Sequence, residues 1–183
     1  NQLSLIAFPT RELFSEKIKD FDLIIFDRYQ HRGILQMMYY DNIARYVEDH
    51  GGALLIAAGD DYAGRYSVHR TPLAAVLPAT PTGRVIEQPF KADTTADGEK
   101  HPVTRGLPGA ANRVAAASTG TTNDGISSSA DKGPSWGRWF RQVEVTPERG
   151  TIVMKGAEDA PLLILDRKGK GRVALLTSDQ AWL

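Results

Sequence analysis

The chain has no cysteine. That single absence excludes disulfides, thiolate metal sites and a cysteine nucleophile. It also has no excess charge of either sign, because 22 Lys plus Arg balance 22 Asp plus Glu. A nucleic-acid footprint would show as a basic excess, so no nucleic-acid partner is expected. No apolar run approaches the roughly 20 residues that span a bilayer, and no signal-peptide pattern is visible. Histidine is scarce, with His31, His50, His69 and His101 all preceding residue 102. What is present is an ordinary globular composition, 42% hydrophobic and 24% charged. A chain of 183 residues can enclose one full core. Residues 1–183 therefore read as a single domain. The start at Asn1 and stop at Leu183 give the expectation of a piece of a longer chain.

The first third alternates between two hydrophobic periods. Leu3-Ser4-Leu5-Ile6-Ala7-Phe8 is a short strand closed by Pro9, and Thr10 caps a helix over 11–19. Leu23-Ile24-Ile25-Phe26 lies between Asp22 and Asp27 and has the continuous apolar character of a strand buried on both faces. From about Gln36 to His50, Tyr39, Ile43, Tyr46 and Val47 form one helical stripe, which Gly51-Gly52 stops. Ala53 to Ala58 is a second buried strand. This alternation predicts a parallel sheet with helices packed on it. Ligands of such sheets bind beyond the carboxyl ends of the strands. That places Asp27-Arg28-Tyr29-Gln30-His31 and Gly59-Asp60-Asp61-Tyr62 at the expected site.

The middle is irregular. Six prolines between residues 70 and 110 interrupt any long element, and 118–133 is a Ser, Thr, Gly and Asp-rich stretch that reads as a mobile loop. The last third turns to strands at 140–145, 152–154, 162–166 and 172–176. The last two read as a β-hairpin near the C-terminus around Gly169 and Gly171. Thr177-Ser178-Asp179 reads as the cap of a helix at 180–182.

Each candidate residue has two readings. Asp60 and Asp61 form a carboxylate pair for a cation or a proton, or they cap the following turn. Asp27-Arg28 is a loop-orienting ion pair or a ligand contact. His101, before Pro102, is a hydrogen-bonded loop anchor or a catalytic group without a visible partner. His69 approaches the same pocket, or it only precedes the helix start at Thr71-Pro72. Lys168-Gly169-Lys170-Gly171-Arg172 lacks the hydroxyl and following helix of a phosphate loop and reads as a basic turn. Trp136 and Trp139 form an exposed contact or the edge of the core.

Phe21 to Tyr29, Ala44 to Leu55, His101-Pro102-Val103-Thr104-Arg105-Gly106-Leu107, and Pro161 through Gly169-Lys170-Gly171-Arg172-Val173 to Trp182 resemble, in that order, the class I glutamine amidotransferase-like fold. The chain is similar to the ThuA-related, amidotransferase-like domain of uncharacterised bacterial membrane proteins. The resemblance implies an α/β, three-layer, mostly parallel flavodoxin-like sheet with helices on both faces. It also implies a soluble domain that faces the periplasm and is membrane-anchored through segments outside this chain. Working members attack glutamine with a cysteine on the elbow after a strand, served by a later histidine and glutamate. Here that elbow falls at Gly59-Asp60, without a thiol, and no histidine-glutamate pair follows. The expectation is a pseudoenzyme, a binding or scaffolding module without glutaminase activity, cofactor or metal, whose partner is a protein or a small molecule. Its candidate pocket comprises Asp27, Arg28, Tyr29, Gly59, Asp60, Asp61, His69 and His101. The alternative is a hydrolase or lyase using Asp60, Asp61 and a histidine.

Overall fold

In a computed structural model describing residues 8–107 and 136–181, strands β1 (Leu23–Asp27) and β2 (Ala53–Ala57) flank helix α1 (Met37–His50). The remaining elements are β3 (Ala79–Ile86), β4 (Asp93–Thr94), α2 (Ala96–Lys100), β5 (Gln142–Pro147), β6 (Thr151–Lys155), β7 (Pro161–Lys168) and β8 (Gly171–Leu176). One sheet has the order β1-β2-β8-β7-β6-β4, and β3 pairs with β5 in a second, two-stranded sheet. β1, β2 and β8 are parallel, while β8, β7, β6 and β4 pair antiparallel.

The expected mostly parallel, three-layer flavodoxin-like sheet is therefore corrected to a mixed sheet. The cause is connection length. A parallel neighbour needs a crossover of about a dozen residues or more. Only two residues link β7 to β8, and five link β6 to β7. Among the described residues, only β1-α1-β2 forms a strand-helix-strand crossover.

Among the described residues, helices covering both faces are not found either. The apolar stripe of α1, with Tyr40, Ile43, Tyr46 and Val47, packs against Phe26, Leu54, Ile56, Val173 and Leu175 on one face of the sheet. A smaller cluster lies on the opposite face, where Phe90, Ala92, Trp136 and Trp139 meet Met154, Leu163 and Leu176. It does not reach β1. Leu23 and Ile25, expected to be buried on both sides of the sheet, are 47% and 48% exposed.

Other expectations fare unevenly. The segment expected as a helix over 11–19 is helical, as a π-helix at Glu12–Glu16 followed by a 3₁₀ turn at Ile18–Asp20. β3 runs through the proline-rich middle, with a break in register between Pro81 and Val85. That position is tolerable because β3 has only one partner strand. Residues 177–181 are not helical. The strand at residues 3–8 and the loop at 118–133 lie outside the described residues, apart from Phe8.

The end of α1 is fitted closely to the sheet. Gly51 takes φ +82°, and the Gly52 N–H returns to the Tyr46 carbonyl at 3.1 Å. A Cβ on Gly171 would lie 2.3 Å from the Val47 carbonyl oxygen and 2.5 Å from that of Gly52. Both obstacles are backbone, so they cannot rotate away. Gly171→Ala is expected to destabilise the fold by about 3 kcal/mol, at the upper end for an overpacked site, read from the midpoint of chemical denaturation. Tyr46→Phe, which removes the 2.7 Å bond to the Phe21 carbonyl, is expected to cost only about 1 kcal/mol.

Candidate functional site

The three parallel strands end together, with Asp27, Ala57 and Leu176 in register. Backbone hydrogen bonds continue past those ends, from Arg28 N–H to Ala57 (2.9 Å) and from Ala58 N–H to Leu176 (2.8 Å). Three loops therefore leave side by side: Arg28 after β1, Gly59-Asp60 after β2, and Thr177-Ser178-Asp179 after β8. Gly59 is buried against Arg28, and a Cβ there would lie 3.3 Å from the Arg28 Cγ.

The turn after β2 is not a strained elbow. Gly59 has φ −86° and ψ −176°, and no residue from 57 to 62 has positive φ. The unusual backbone belongs to Arg28, at φ +47°. Left-handed non-glycine residues carry a cost of order 1–3 kcal/mol and gather at functional corners.

A half-buried ion pair anchors the corner. Asp179, whose side chain is 4% exposed, accepts a hydrogen bond from Arg141 Nη2 through Oδ2. The Ser178 hydroxyl donates to the Arg141 carbonyl at 2.6 Å, and Val143 N–H donates to the Thr177 carbonyl at 2.7 Å. The Arg141 guanidinium is held above its ordinary value chiefly by its hydrogen bond to Asp179, with the charges of Asp60 and Glu87 adding to it. Asp61 accepts from Gln30 Nε2. Among the described residues, the buried side-chain polar atoms without a protein partner are Gln30 Oε1, Arg141 Nε and Asp179 Oδ1. All three belong to this corner. Buried polar atoms are nearly always paired, and each unpaired one costs about 1–3 kcal/mol.

The candidate residues separate into groups. Asp27, Arg28, Gly59, Asp60 and Asp61 lie at the corner. The Asp27–Arg28 ion pair is long, at 3.6 Å, and solvent-exposed. Tyr29 turns inward, with its ring 4.9 Å from Phe26 and its hydroxyl 3.1 Å from that of Tyr40. His31 Nδ1 meets the same Tyr40 oxygen at 2.9 Å, and burial pushes the Tyr40 phenol well above its usual range.

The two candidate histidines are held elsewhere. His69 Nε2 lies 3.2 Å from the Thr80 hydroxyl, which donates to Glu148. Both border a separate polar cavity of about 410 Å³. His101 Nδ1 accepts the Val103 N–H at 3.2 Å as a loop anchor. No group of three histidine, aspartate or glutamate side chains able to hold a metal occurs among the described residues. Lys168 to Arg172 is a basic turn tied to α1 through Lys170 N–H and the Glu48 carbonyl, 2.8 Å apart. Trp136 donates to the Ala92 carbonyl at 2.8 Å, and Trp139 packs on Phe90, so both form the edge of the second cluster.

Arg141 and Asp179 were not among the sequence candidates, and Gln30 entered only as part of the loop after β1. Asp179 was within reach of the same rule that selected Asp60, since Thr177-Ser178-Asp179 also follows a strand at its carboxyl end.

No protein-family model and no curated protein matches the chain. Its fold is shared with solved structures. The cytoplasmic protein STM1381 of Salmonella typhimurium LT2 aligns with a TM-score of 0.68 and 19% identity, over 96% of this chain and 70% of that one. STM3548, a cytoplasmic protein of Salmonella typhimurium, gives 0.65 and 20% over 95% and 65%. This chain thus spans about two thirds of their length. A β-galactosidase from Rahnella sp. R3 gives 0.52 and 13%, over 88% of this chain and 21% of the enzyme. At these identities the likeness is one of fold. Nothing among the described residues carries the expected membrane-anchored setting, since no described helix is long and apolar enough to cross a membrane.

Removing Arg141 leaves the Asp179 carboxylate buried without its counter-charge. Arg141→Met is expected to cost about 2 kcal/mol, less than for a fully buried pair because Arg141 is one-third exposed, and adding Asp179→Leu recovers most of that loss. A denaturation double-mutant cycle measures both. His69 gives a pH signature. Burial lowers its pKa most, with Arg70 acting the same way and Glu148 opposing. The native state then binds fewer protons than the unfolded chain. Stability is full above the unfolded value of about 6.5 and falls as pH drops through it toward the lower folded value. His69→Gln is expected to flatten that decline in thermal melts between pH 7 and pH 5.

Proposed function

We propose that the chain is a non-catalytic binding module, with a scaffolding role toward the partner it engages, and that a small polar ligand binds at the carboxyl ends of β1, β2 and β8. The observation that carries this reading is the half-buried Arg141–Asp179 pair, in which the Arg141 Nε donor and the Asp179 Oδ1 acceptor have no protein partner. Both atoms are sealed from solvent in this structure, so a ligand offering a hydrogen-bond donor to Asp179 Oδ1 and an acceptor to Arg141 Nε satisfies them only as the corner opens. The pair is internally neutral, which favours an uncharged polar group over a bare anion.

The resemblance to glutamine amidotransferases carries over none of their chemistry. The chain has no thiol, and the turn at Gly59-Asp60 is relaxed. Against the hydrolytic alternative, Asp61 is engaged by Gln30, while His69 and His101 are held by Thr80 and Val103. Fold likeness alone assigns no activity.

A thermal-shift panel of small polar metabolites tests the reading. A ligand at about 100 times its Kd is expected to stabilise the native state by about 2.7 kcal/mol, and Asp179→Asn to abolish the shift. Ammonia release from glutamine is expected at the buffer rate. Release above that rate, or a ligand whose shift survives Asp179→Asn, overturns it.

A further inference from the structure

The turn at Val68–Arg70 and the strand β3 enclose the separate cavity of about 410 Å³. That volume lies at the lower end of the range that holds a small molecule. The register break in β3 makes the room. Between Pro81 and Val85 the strand leaves its ladder with β5, and Gly83 turns at φ +93° with nothing within 4 Å of where a Cβ would stand. Bulges recur where a strand re-aims its side chains beside a site.

Three side chains on the cavity wall have bonding capacity left over. The first is His69. The Thr80 hydroxyl has one proton, and that proton goes to Glu148, a carboxylate that only accepts. Thr80 can therefore only accept from His69 Nε2, 3.2 Å away. The imidazole proton is thus on Nε2, and Nδ1 is a bare acceptor. Nδ1 has no partner among the described residues and is not sealed from solvent. Burial acts most strongly to lower the His69 pKa, which keeps the ring neutral at pH 7. The second is Ser67, which is 1% exposed. It accepts the His69 N–H at 3.1 Å, while its own hydroxyl proton has no acceptor among the described residues. The third is Arg70, an exposed residue. Its Nε donates to the Gly64 carbonyl at 3.4 Å, which leaves both Nη groups without a protein partner among the described residues.

A guanidinium, a hydroxyl donor and a neutral acceptor on one wall suit a ligand with one anionic group and one donor. A single guanidinium, with the Glu148 carboxylate behind Thr80, matches one negative charge better than two, which favours a carboxylate over a phosphate. We infer that this cavity is a second ligand site, apart from the corner, and that it takes a small monocarboxylate bearing a hydroxyl. The carboxylate pairs with Arg70 and accepts from Ser67, and the ligand hydroxyl donates to His69 Nδ1.

Titration calorimetry with lactate and propionate, which differ by that hydroxyl alone, tests the inference. Lactate is expected to bind with a Kd on the order of 1 mM, and propionate about tenfold more weakly, the worth of one hydrogen bond. His69→Gln keeps a donor for Thr80 but lacks Nδ1, so it is expected to bind the two acids equally. Arg70→Met, at an exposed position that does not put folding at stake, is expected to weaken both acids about tenfold and to keep the preference for lactate. Nitrogen-15 NMR of the His69 ring reads the contact without reference to affinity: lactate is expected to move the Nδ1 resonance and propionate to leave it in place. Asp179→Asn is expected to leave lactate binding unchanged. The corner selects uncharged groups, so these acids stand outside its metabolite panel, and either site can fail alone. Equal binding of the two acids to the unaltered protein, a lactate preference that survives His69→Gln, or tighter binding of inorganic phosphate than of lactate overturns the inference. So does the absence of saturation at about 20 times the expected Kd, or loss of lactate binding in Asp179→Asn.

Discussion

Everything at the carboxyl end of the sheet depends on how closely the last turn of α1 sits on the starts of β2 and β8. Tyr46 lies over Gly52, where a Cβ would come within 1.9 Å of its ring, and the Val47 carbonyl lies over Gly171. The Lys170 N–H closes the contact on the Glu48 carbonyl. Two glycines therefore fix the helix axially against two neighbouring parallel strands. Because side chains alternate with period two, that seating sets which residues of β2 and β8 enter the core. It also makes the strands finish level with one another. Arg28, Gly59 and Ser178 then emerge as neighbours rather than staggered.

The corner so formed combines a rigid support with unmet polar demand. Gln142, fully buried beside Arg141, satisfies its side chain by donating to the Ala160 and Pro161 carbonyls and accepting from Ala157 N–H. It locks the start of β5 to the loop before β7. Arg141 is thereby presented to Asp179 from a fixed backbone, and its own carbonyl is held by Ser178. The left-handed Arg28 packs against buried Gly59 on the other side. A low local dielectric strengthens satisfied hydrogen bonds and penalises missing ones. The neighbouring Tyr29–Tyr40–His31 cluster has no such deficit, and it belongs to the core that supports the corner.

Much of the first half of this architecture is legible in the residues. The stripe of Tyr39, Ile43, Tyr46 and Val47, the Gly51-Gly52 stop, and the runs at 23–27 and 53–57 each have one dominant physical reading. The sheet as a whole is less so, because strand periodicity carries no information about direction. Only the two-residue link at Gly169-Lys170 shows that β7 and β8 must be antiparallel. β3 is hidden by Pro81, which counts against a central strand but not against an edge. At the site, Asp60 is visible from the strand before it. Arg141 is not, because its partner is Asp179, and the two meet only where the start of β5 approaches the end of β8. Asp179 lies between these cases. The rule that finds it is the same, but a Thr-Ser-Asp sequence equally spells a helix cap.

The proline in β3 has a consequence at the level of the population rather than the single molecule. A two-stranded sheet on the surface offers a row of backbone groups that an unrelated chain can extend. Pro81 lacks an N–H, Gly83 sits at φ +93° where the register breaks, and Arg84 spreads its guanidinium over Glu144 and Glu158. Together they deny a continuous, flat template to an incoming strand. The feature that concealed β3 in the sequence thus keeps the small sheet from seeding aggregates in a crowded cell.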